Sequence, residues 1–246
     1  MAETHHAAER MRGRRIVVTG AGSGIGRRTA ELLAAEGASL ALFDRTEAGL
    51  RATAEATGGT PHIVDVTSEE SVSAAAAAAA AAMGGIDGIV NAAGIHMLGS
   101  VEEVDAAAFR RVVDVNLSGT YIVIRCCLKW LQEAPFATIV NVASGQGLLP
   151  SAPNGSAYAA SKGGVVVLTR ALAAELAPTI RVNSVCPGMV DTPMASSTNV
   201  RDYSAYAMRR IGTPTEIASV ILFLMSTESA IVTGAAFAAD GGRTYH

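Results

Sequence analysis

Short apolar runs rich in β-branched residues alternate with longer alanine-rich stretches along almost the whole chain. A short apolar run predicts a buried strand, and a longer amphipathic stretch predicts a helix. Repetition of the two at this spacing predicts an α/β fold in which helices cover both faces of a parallel sheet. The predicted strands are 15–18, 40–43, 62–64, 88–90, 138–142, 181–185 and 235–238. The predicted helices are 24–36, 47–56, 69–83, 101–131 with a break near Asn116, 158–176 and 215–225.

Composition and charge exclude several classes of protein. No linker rich in proline or serine divides the 246 residues, so we expect one domain. Half of the residues are hydrophobic and 17% are charged, which excludes a disordered chain. The net charge is −3 and the basic residues are scattered, so we expect no nucleic-acid partner. The charge-free stretch 134–161 contains Pro135, Pro150 and Pro153, so we expect no membrane span.

The N-terminal residues lack the apolar core of a secretory signal, and the three cysteines form no CxxC pair. We therefore expect a cytoplasmic protein with free thiols and without a metal site.

A glycine-rich turn follows the first predicted strand and leads into the first predicted helix. Glycines at such a turn let backbone amides approach a pyrophosphate, which the positive end of the helix then attracts. This context favours a dinucleotide site over a plain tight turn. The candidate residues are Gly20, Ser23, Gly24, Ile25 and Gly26.

Asp44 ends the second strand, where a carboxylate can accept hydrogen bonds from an adenosine ribose and repel a 2′-phosphate. Arg45 follows and could pair with a 2′-phosphate, so NAD is favoured and NADP is the alternative. Asp44 could also be a helix cap or turn residue.

Two further strand ends supply cofactor candidates, although a simple turn explains each of them equally well when it is taken alone. They are Asp65 and Val66 after the third strand, and Asn91, Ala92, Ala93 and Gly94 after the fourth.

Tyr158 and Lys162 are spaced to lie on one face of a helix. An ammonium beside a phenol favours the phenolate and lowers its pKa, and such a phenol can exchange a proton with an alcohol or a carbonyl. Ser144 follows the fifth strand, where its hydroxyl could hold a substrate oxygen. Asn116 interrupts a helical pattern, which is typical of a residue that holds backbone or water but also of a simple break between helices.

Pro187 and Gly188 reverse the chain after the sixth strand, with Val190 and Thr192 beyond, and can frame one side of a flat ring. Residues 189–211 are predicted to form a substrate lid. Candidate substrate contacts are His96, Gln146, Leu148, Met189 and Met194, although such side chains can equally pack against the lid itself.

Taken together and in this order, the motifs resemble the short-chain dehydrogenase/reductase family in its single-domain branch. They are Thr19-Gly20-x-x-x-Gly24-Ile25-Gly26, Asn91-Ala92-Ala93-Gly94, Asn116, Ser144, Tyr158-x-x-x-Lys162 and Pro187-Gly188, followed by Gly212-x-Pro214, Thr233-Gly234 and Asp240-Gly241-Gly242. The resemblance covers residues 14–242. Two departures are Ala92, where relatives often have asparagine, and an interval from Ser144 to Tyr158 that is one residue longer than is common.

The resemblance implies a Rossmann-type, doubly wound αβα sandwich with a seven-stranded parallel sheet, and a homotetramer. It implies hydride transfer between a nicotinamide and a secondary alcohol or ketone. Tyr158 would be the acid/base, Ser144 would orient the substrate oxygen, and Lys162 would bind the nicotinamide ribose and lower the tyrosine pKa. Asn116 would support a water-linked proton relay, and Val190 and Thr192 would contact the carboxamide. The alternatives are an NADPH-dependent 3-oxoacyl reductase of the acyl-carrier type and a cofactor-binding protein without turnover.

Overall fold

The computed structural model describes residues 9–150, 153–195 and 203–244. Its centre is a parallel sheet of seven strands in the order β3-β2-β1-β4-β5-β6-β7. The strands are β1 (Arg15–Thr19), β2 (Ser39–Asp44), β3 (Thr60–Ile63), β4 (Gly88–Asn91), β5 (Ala137–Val142), β6 (Ile180–Pro187) and β7 (Ala236–Ala239). The helices are α1 (Gly24–Ala35), α2 (Glu47–Thr57), α3 (Glu69–Met83), α4 (Ala106–Val113), α5 (Gly119–Glu133), α6 (Ser156–Leu176) and α7 (Pro214–Met225). The α/β, doubly wound fold is thereby confirmed.

Alternate residues of the strands face two separate apolar cores, which is why the strands are apolar throughout. On one face, Ile16 and Val18 of β1 belong to a core that includes residues of α1, α2 and α7. On the other, Val17 of the same strand belongs to a core that includes residues of α3, α5 and α6. Two helical layers therefore enclose the sheet.

Helix α3 contains the run of nine alanines, and its ends are fixed by local chemistry. Ser68 accepts a hydrogen bond from the Ser71 amide at 3.1 Å, and Glu69 and Glu70 lie in the first turn, where the helix dipole favours acids. Gly84 ends the helix at φ +75°, a conformation that glycine adopts without strain.

The predicted helix 101–131 begins later than expected and does not break. Asp105 accepts a hydrogen bond from the Ala108 amide at 2.8 Å, so the cap starts the helix at Ala106. Near Asn116 the chain continues through a wider π-helical turn, Asp114–Ser118, into α5. The predicted break is therefore wrong, because a π turn absorbs the irregularity without ending the helix.

None of the helices within the described residues combines the length and apolarity needed to cross a bilayer. The same residues hold no cluster of three or more His, Cys, Asp or Glu side chains that could bind a metal ion.

Candidate active site

A cavity of about 1450 Å³ lies at the carboxyl ends of the strands, the edge at which open α/β sheets bind ligands. Pockets for drug-sized molecules measure roughly 300–1000 Å³, so this one has room for a dinucleotide beside a second molecule. The predicted residues that line it are Gly20, Ser23, Gly24, Ile25, Gly26, Asp44, Arg45, Asp65, Val66, Ala92, Ala93, Gly94, His96, Ser144, Gln146, Tyr158, Lys162, Pro187, Gly188, Met189, Val190, Thr192 and Met194. Asn91, Asn116 and Leu148 are not among the lining residues.

The turn after β1 has a shape that only glycine permits. Gly20 adopts φ +65°, and a Cβ there would lie 2.7 Å from the Ala92 carbonyl oxygen at the end of β4. Ser23 precedes α1 but makes no side-chain cap, and the first turn of α1 contains no acidic residue. The amides at the start of α1 are therefore available to an anion such as a pyrophosphate.

Asp44 is half-buried, and its carboxylate is held from two sides. One oxygen accepts a hydrogen bond from the Gly22 amide at 2.8 Å, and the other accepts one from the Thr46 amide at 2.8 Å. Asp44 thus has the turn role that was the alternative for it, and it also fixes the glycine turn. A carboxylate can accept about four hydrogen bonds, so capacity for a ligand remains.

Asp65 lies beyond β3 on the cavity wall and accepts hydrogen bonds from the amide and hydroxyl of Thr67 at 2.9 and 2.7 Å. These bonds, aided by the charges of Arg45 and Arg111, lower the pKa of Asp65. This part of the cavity therefore contains both acids and arginines.

Tyr158 shares a side-chain hydrogen bond with Ser144, and its ring meets the edge of His96 with centroids 4.7 Å apart. Burial raises the pKa of Tyr158, and the bond to Ser144 opposes that rise. Burial likewise lowers the pKa of His96, which favours a neutral imidazole beside the phenol.

Lys162 is buried, and its Nζ donates a hydrogen bond to the Val142 carbonyl oxygen at 2.7 Å. Nζ lies 5.9 Å from the centre of the Tyr158 ring, and burial lowers the pKa of Lys162 to about 8. The lowering of the Tyr158 pKa by Lys162 stays a prediction, because burial raises the pKa of Tyr158 and the opposing contribution comes from Ser144.

Asn116 is buried behind the cavity wall, and its side chain bridges two elements. Its Oδ1 accepts from the Ile95 amide at 2.8 Å, while Nδ2 donates to the Ile95 carbonyl at 3.0 Å and to the Ser161 hydroxyl at 3.0 Å. The side chain therefore holds the segment after β4 against α6, next to Lys162.

Two predicted contacts are structural. Asn91, a predicted cofactor residue, donates from Nδ2 to Asn141 Oδ1 at 2.9 Å inside the sheet and is not among the lining residues. Leu148, a predicted substrate contact, packs against the small core that includes Ala143 and Cys186 and is not among the lining residues.

The segment after β6 passes close to the glycine turn at one point and is hydrogen-bonded to Tyr206 of the predicted lid at another. A Cβ on Gly24 would lie 3.3 Å from Thr192 Cγ2, and the Met189 amide donates to the Tyr206 hydroxyl at 3.2 Å. The predicted lid 189–211 includes residues 196–202, which lie outside the described residues.

Sequence reasoning missed Arg243, which lines the cavity from the loop after β7. The signal was available, because Arg243 directly follows the Asp240-Gly241-Gly242 motif at the end of the last strand, and all strand ends meet at this edge. Arg110, Arg111 and Asp114 also line the cavity and were not predicted to do so from the sequence.

Comparison with known proteins agrees with this geometry. The family model described as "Enoyl-(Acyl carrier protein) reductase" matches residues 20–244. The chain is 39% identical to 2-(S)-hydroxypropyl-CoM dehydrogenase 3 of Xanthobacter autotrophicus, over 96% of this chain and 99% of the relative. It is 40% identical to cis-4-hydroxycyclohexanecarboxylate dehydrogenase of Sinomonas cyclohexanicum, over 93% of this chain and 95% of that protein.

Among solved structures, 3-ketoacyl-(acyl-carrier-protein) reductase from Brucella melitensis, complexed with NADH, superposes with a TM-score of 0.90 at 35% identity. That match covers 95% of this chain and 99% of the other. With the glycine turn, Ser144, Tyr158 and Lys162 around one cavity, these matches show that the chain belongs to the short-chain dehydrogenase/reductase family.

Proposed function

We propose that the protein transfers a hydride between NAD(H) and a secondary alcohol or ketone, and that one domain holds both cofactor and substrate. One observation carries the proposal: the hydrogen-bonded hydroxyls of Tyr158 and Ser144 lie in the same cavity as the glycine turn. Groups suited to proton exchange and groups suited to dinucleotide binding therefore line one cavity at the carboxyl ends of the strands.

The residues present fit a nicotinamide dinucleotide. The uncapped start of α1 suits a pyrophosphate, and the small residues Ala92, Ala93 and Gly94 line the cavity where a ring would need close approach. A bound nicotinamide supplies the hydride acceptor for alcohol oxidation and the hydride donor for ketone reduction.

Tyr158 is the proposed acid/base. In oxidation its phenolate accepts the proton of the substrate hydroxyl, and in reduction its phenol returns a proton to the carbonyl oxygen. Ser144 holds the same oxygen by a hydrogen bond as charge develops on it. Lys162 would bind the nicotinamide ribose, and Asn116 is a positioning residue that holds the wall beside Lys162.

Asp44 supports the preference for NAD. Its carboxylate is fixed by two backbone amides at the cavity wall, so its charge cannot move away from an incoming 2′-phosphate. The relative solved with NADH is consistent with this choice. Arg45 and Arg111, both on the same wall, are the features that favour NADP instead.

The proposed substrates are small secondary alcohols. The two similar dehydrogenases are named for hydroxypropyl-CoM and for a hydroxycyclohexanecarboxylate. The alternative, an NADPH-dependent 3-oxoacyl reductase, is a less specific fit and depends mainly on Arg45.

We also infer a homotetramer in the cytoplasm. Tyr121 on α5 is 45% exposed and Val167 on α6 is 63% exposed, which leaves each helix exposed surface for contacts between subunits. Sedimentation analysis of the wild type and of Val167→Glu tests this: the variant is expected to dissociate.

The direct test of function is the initial rate of NADH formation over a panel of secondary alcohols that includes 4-hydroxycyclohexanecarboxylate and cyclopentanol. We expect turnover with NAD and at least ~10-fold lower kcat/KM with NADP, the effect of one unfavourable charge contact. Absence of turnover with every alcohol and both cofactors would contradict the proposal and favour a binding protein.

A further inference from the structure

Arg243 lines the cavity on a loop that approaches Gly145, the residue after Ser144. The loop after β7 carries it to the wall formed also by Gly145, Met189 and Tyr206. Its guanidinium lies 6.0 Å from the centre of the Tyr206 ring, and among the described residues it forms no ion pair. No ion pair within the described part of the chain therefore occupies this charge.

The loop that carries Arg243 is held in place by a buried carboxylate. Asp240 accepts hydrogen bonds from the Gly242 amide at 2.9 Å, the Thr244 amide at 2.9 Å and the Thr244 hydroxyl at 2.6 Å. A Cβ on Gly145, the residue after Ser144, would lie 3.5 Å from Thr244 Cγ2. These contacts fix the backbone on both sides of Arg243 next to the proposed catalytic serine.

Charge is distributed unevenly around the cavity. The acids among its described lining residues are Asp44 at the end of β2, Asp65 after β3 and Asp114 after α4. None of the described lining residues after β5, β6 or β7 is acidic. Lys162, whose Nζ lies 5.9 Å from the centre of the Tyr158 ring, already donates to the Val142 carbonyl.

The cavity wall also contains large apolar side chains. Leu98, Met189 and Met194 are among its lining residues. Apolar walls lower the local dielectric constant and strengthen the attraction of a guanidinium for an anion. A guanidinium also matches a carboxylate geometrically, with two parallel hydrogen bonds.

We propose that Arg243 binds a carboxylate or a similar anionic group on the substrate, so that hydroxy acids and keto acids are preferred over neutral alcohols and ketones. This inference rests on the proposed dehydrogenase function and names the substrate class of that same site. The hydroxyl group reacts at Ser144 and Tyr158, the apolar body of the substrate lies against the methionines, and the anion pairs with Arg243.

The test compares 4-hydroxycyclohexanecarboxylate with its uncharged carboxamide. For the wild type we expect kcat/KM to be at least ~10-fold higher with the acid, since a charge-assisted hydrogen bond is worth a factor of this order. Arg243→Gln should remove that preference by lowering kcat/KM for the acid ~10- to 100-fold while leaving the amide within about twofold. Arg243→Lys should retain part of the preference, because it keeps the charge and loses the planar pair.

Arg51→Gln is the matched control, because Arg51 pairs with Glu47 on the exposed surface of α2 and does not line the cavity. Arg51→Gln should leave kcat/KM for both the acid and the amide unchanged. Raising the ionic strength should lower kcat/KM for the acid and spare the amide, since salt screens only the charged contact.

A second readout does not depend on turnover. Isothermal titration of the NAD-loaded protein with cyclohexanecarboxylate should show binding that Arg243→Gln weakens ~10-fold or more. Equal kcat/KM for acid and amide in the wild type, or an equal loss for both in Arg243→Gln, would overturn the inference and leave the dehydrogenase function intact. Binding of the carboxylate through Arg243 without turnover of any alcohol would overturn the proposed function instead.

Discussion

The side chain of Asn116 forms a closed pair of hydrogen bonds with the backbone of Ile95, accepting from its amide at 2.8 Å and donating to its carbonyl at 3.0 Å. The Asn116 side chain thus makes the pair of backbone hydrogen bonds with Ile95 that a residue of a neighbouring strand would otherwise make. The π-helical turn that replaces a helix break presents Asn116 to Ile95, and it thereby fixes the segment that carries His96.

Asn116→Asp tests this clamp. A carboxylate still accepts from the Ile95 amide but cannot donate to the Ile95 carbonyl or the Ser161 hydroxyl. We expect a loss of about 1–3 kcal/mol in the free energy of unfolding, because buried acceptors lose their donor. Urea unfolding measures it. Thr120→Val, which removes only a hydroxyl bonded to the Asn116 carbonyl, is the milder comparison, and equal stability of wild type and Asn116→Asp would refute the clamp.

The fixed carboxylate of Asp44 gives a prediction about cofactor choice. Asp44→Ala removes the anchor of the Gly22 amide and the charge that opposes a 2′-phosphate. We expect NAD to bind ~10-fold more weakly and the ratio of NADP to NAD affinity to rise by at least that factor. Titration of the cofactor by calorimetry measures both affinities. Preference of the wild type for NADP, or an unchanged ratio in the variant, would contradict the role of Asp44.

Burial of Lys162 makes stability depend on pH. Its pKa falls from 10.5 in the unfolded chain to about 8 in the fold. Between these values the unfolded state binds more protons than the folded state, so the free energy of unfolding rises with pH across this window. The rise amounts to roughly 3 kcal/mol at most.

Lys162→Met should remove this rise, whereas the exposed Lys129→Met should keep it. Denaturant unfolding of the cofactor-free proteins at several pH values between 8 and 10.5 makes the comparison. A rise of the same size in Lys162→Met would assign the effect to another group.

A side chain at Gly20 should clash with neighbouring backbone. Comparison with a second glycine of similar φ separates this clash from the cost of the backbone conformation. Gly20 and Gly58 both adopt positive φ, +65° and +70°, but only at Gly20 would a Cβ contact backbone, that of Ala92 and Ala93. Gly58→Ala should therefore cost about 1 kcal/mol of stability from conformation alone, and Gly20→Ala clearly more. Cofactor titration should also show a loss of affinity only for Gly20→Ala. Similar stabilities for the two variants would mean that the turn can move away from β4.

The parts of the site that could be predicted are those set by local spacing. Tyr158 and Lys162 are four residues apart on one helix, and the glycine turn lies between a strand and a helix, so neighbours in sequence are neighbours in space. Asn91 and Leu148 do not line the cavity, because the direction of a side chain at a strand end depends on what packs behind it, here Asn141 and the core beside Cys186.

Arg243 was missed for a related reason. The 240–242 motif places Arg243 at the end of the last strand, but the approach of its loop to Gly145 follows from the order of the strands and from the hydrogen bonds of Asp240. The pKa values of Tyr158 and Lys162 also depend on burial, which the spacing of two residues does not report.

The central claim is that the Tyr158 hydroxyl exchanges the proton during hydride transfer. Tyr158→Phe keeps the ring against His96 and removes only that hydroxyl, and Tyr121→Phe on the exposed face of α5 is the control. The measurement is kcat for NADH formation from an accepted secondary alcohol, with NAD affinity measured alongside. We predict a loss of ~10²- to 10⁴-fold in kcat for Tyr158→Phe with NAD affinity unchanged. Turnover within a few-fold of the wild type would contradict the account.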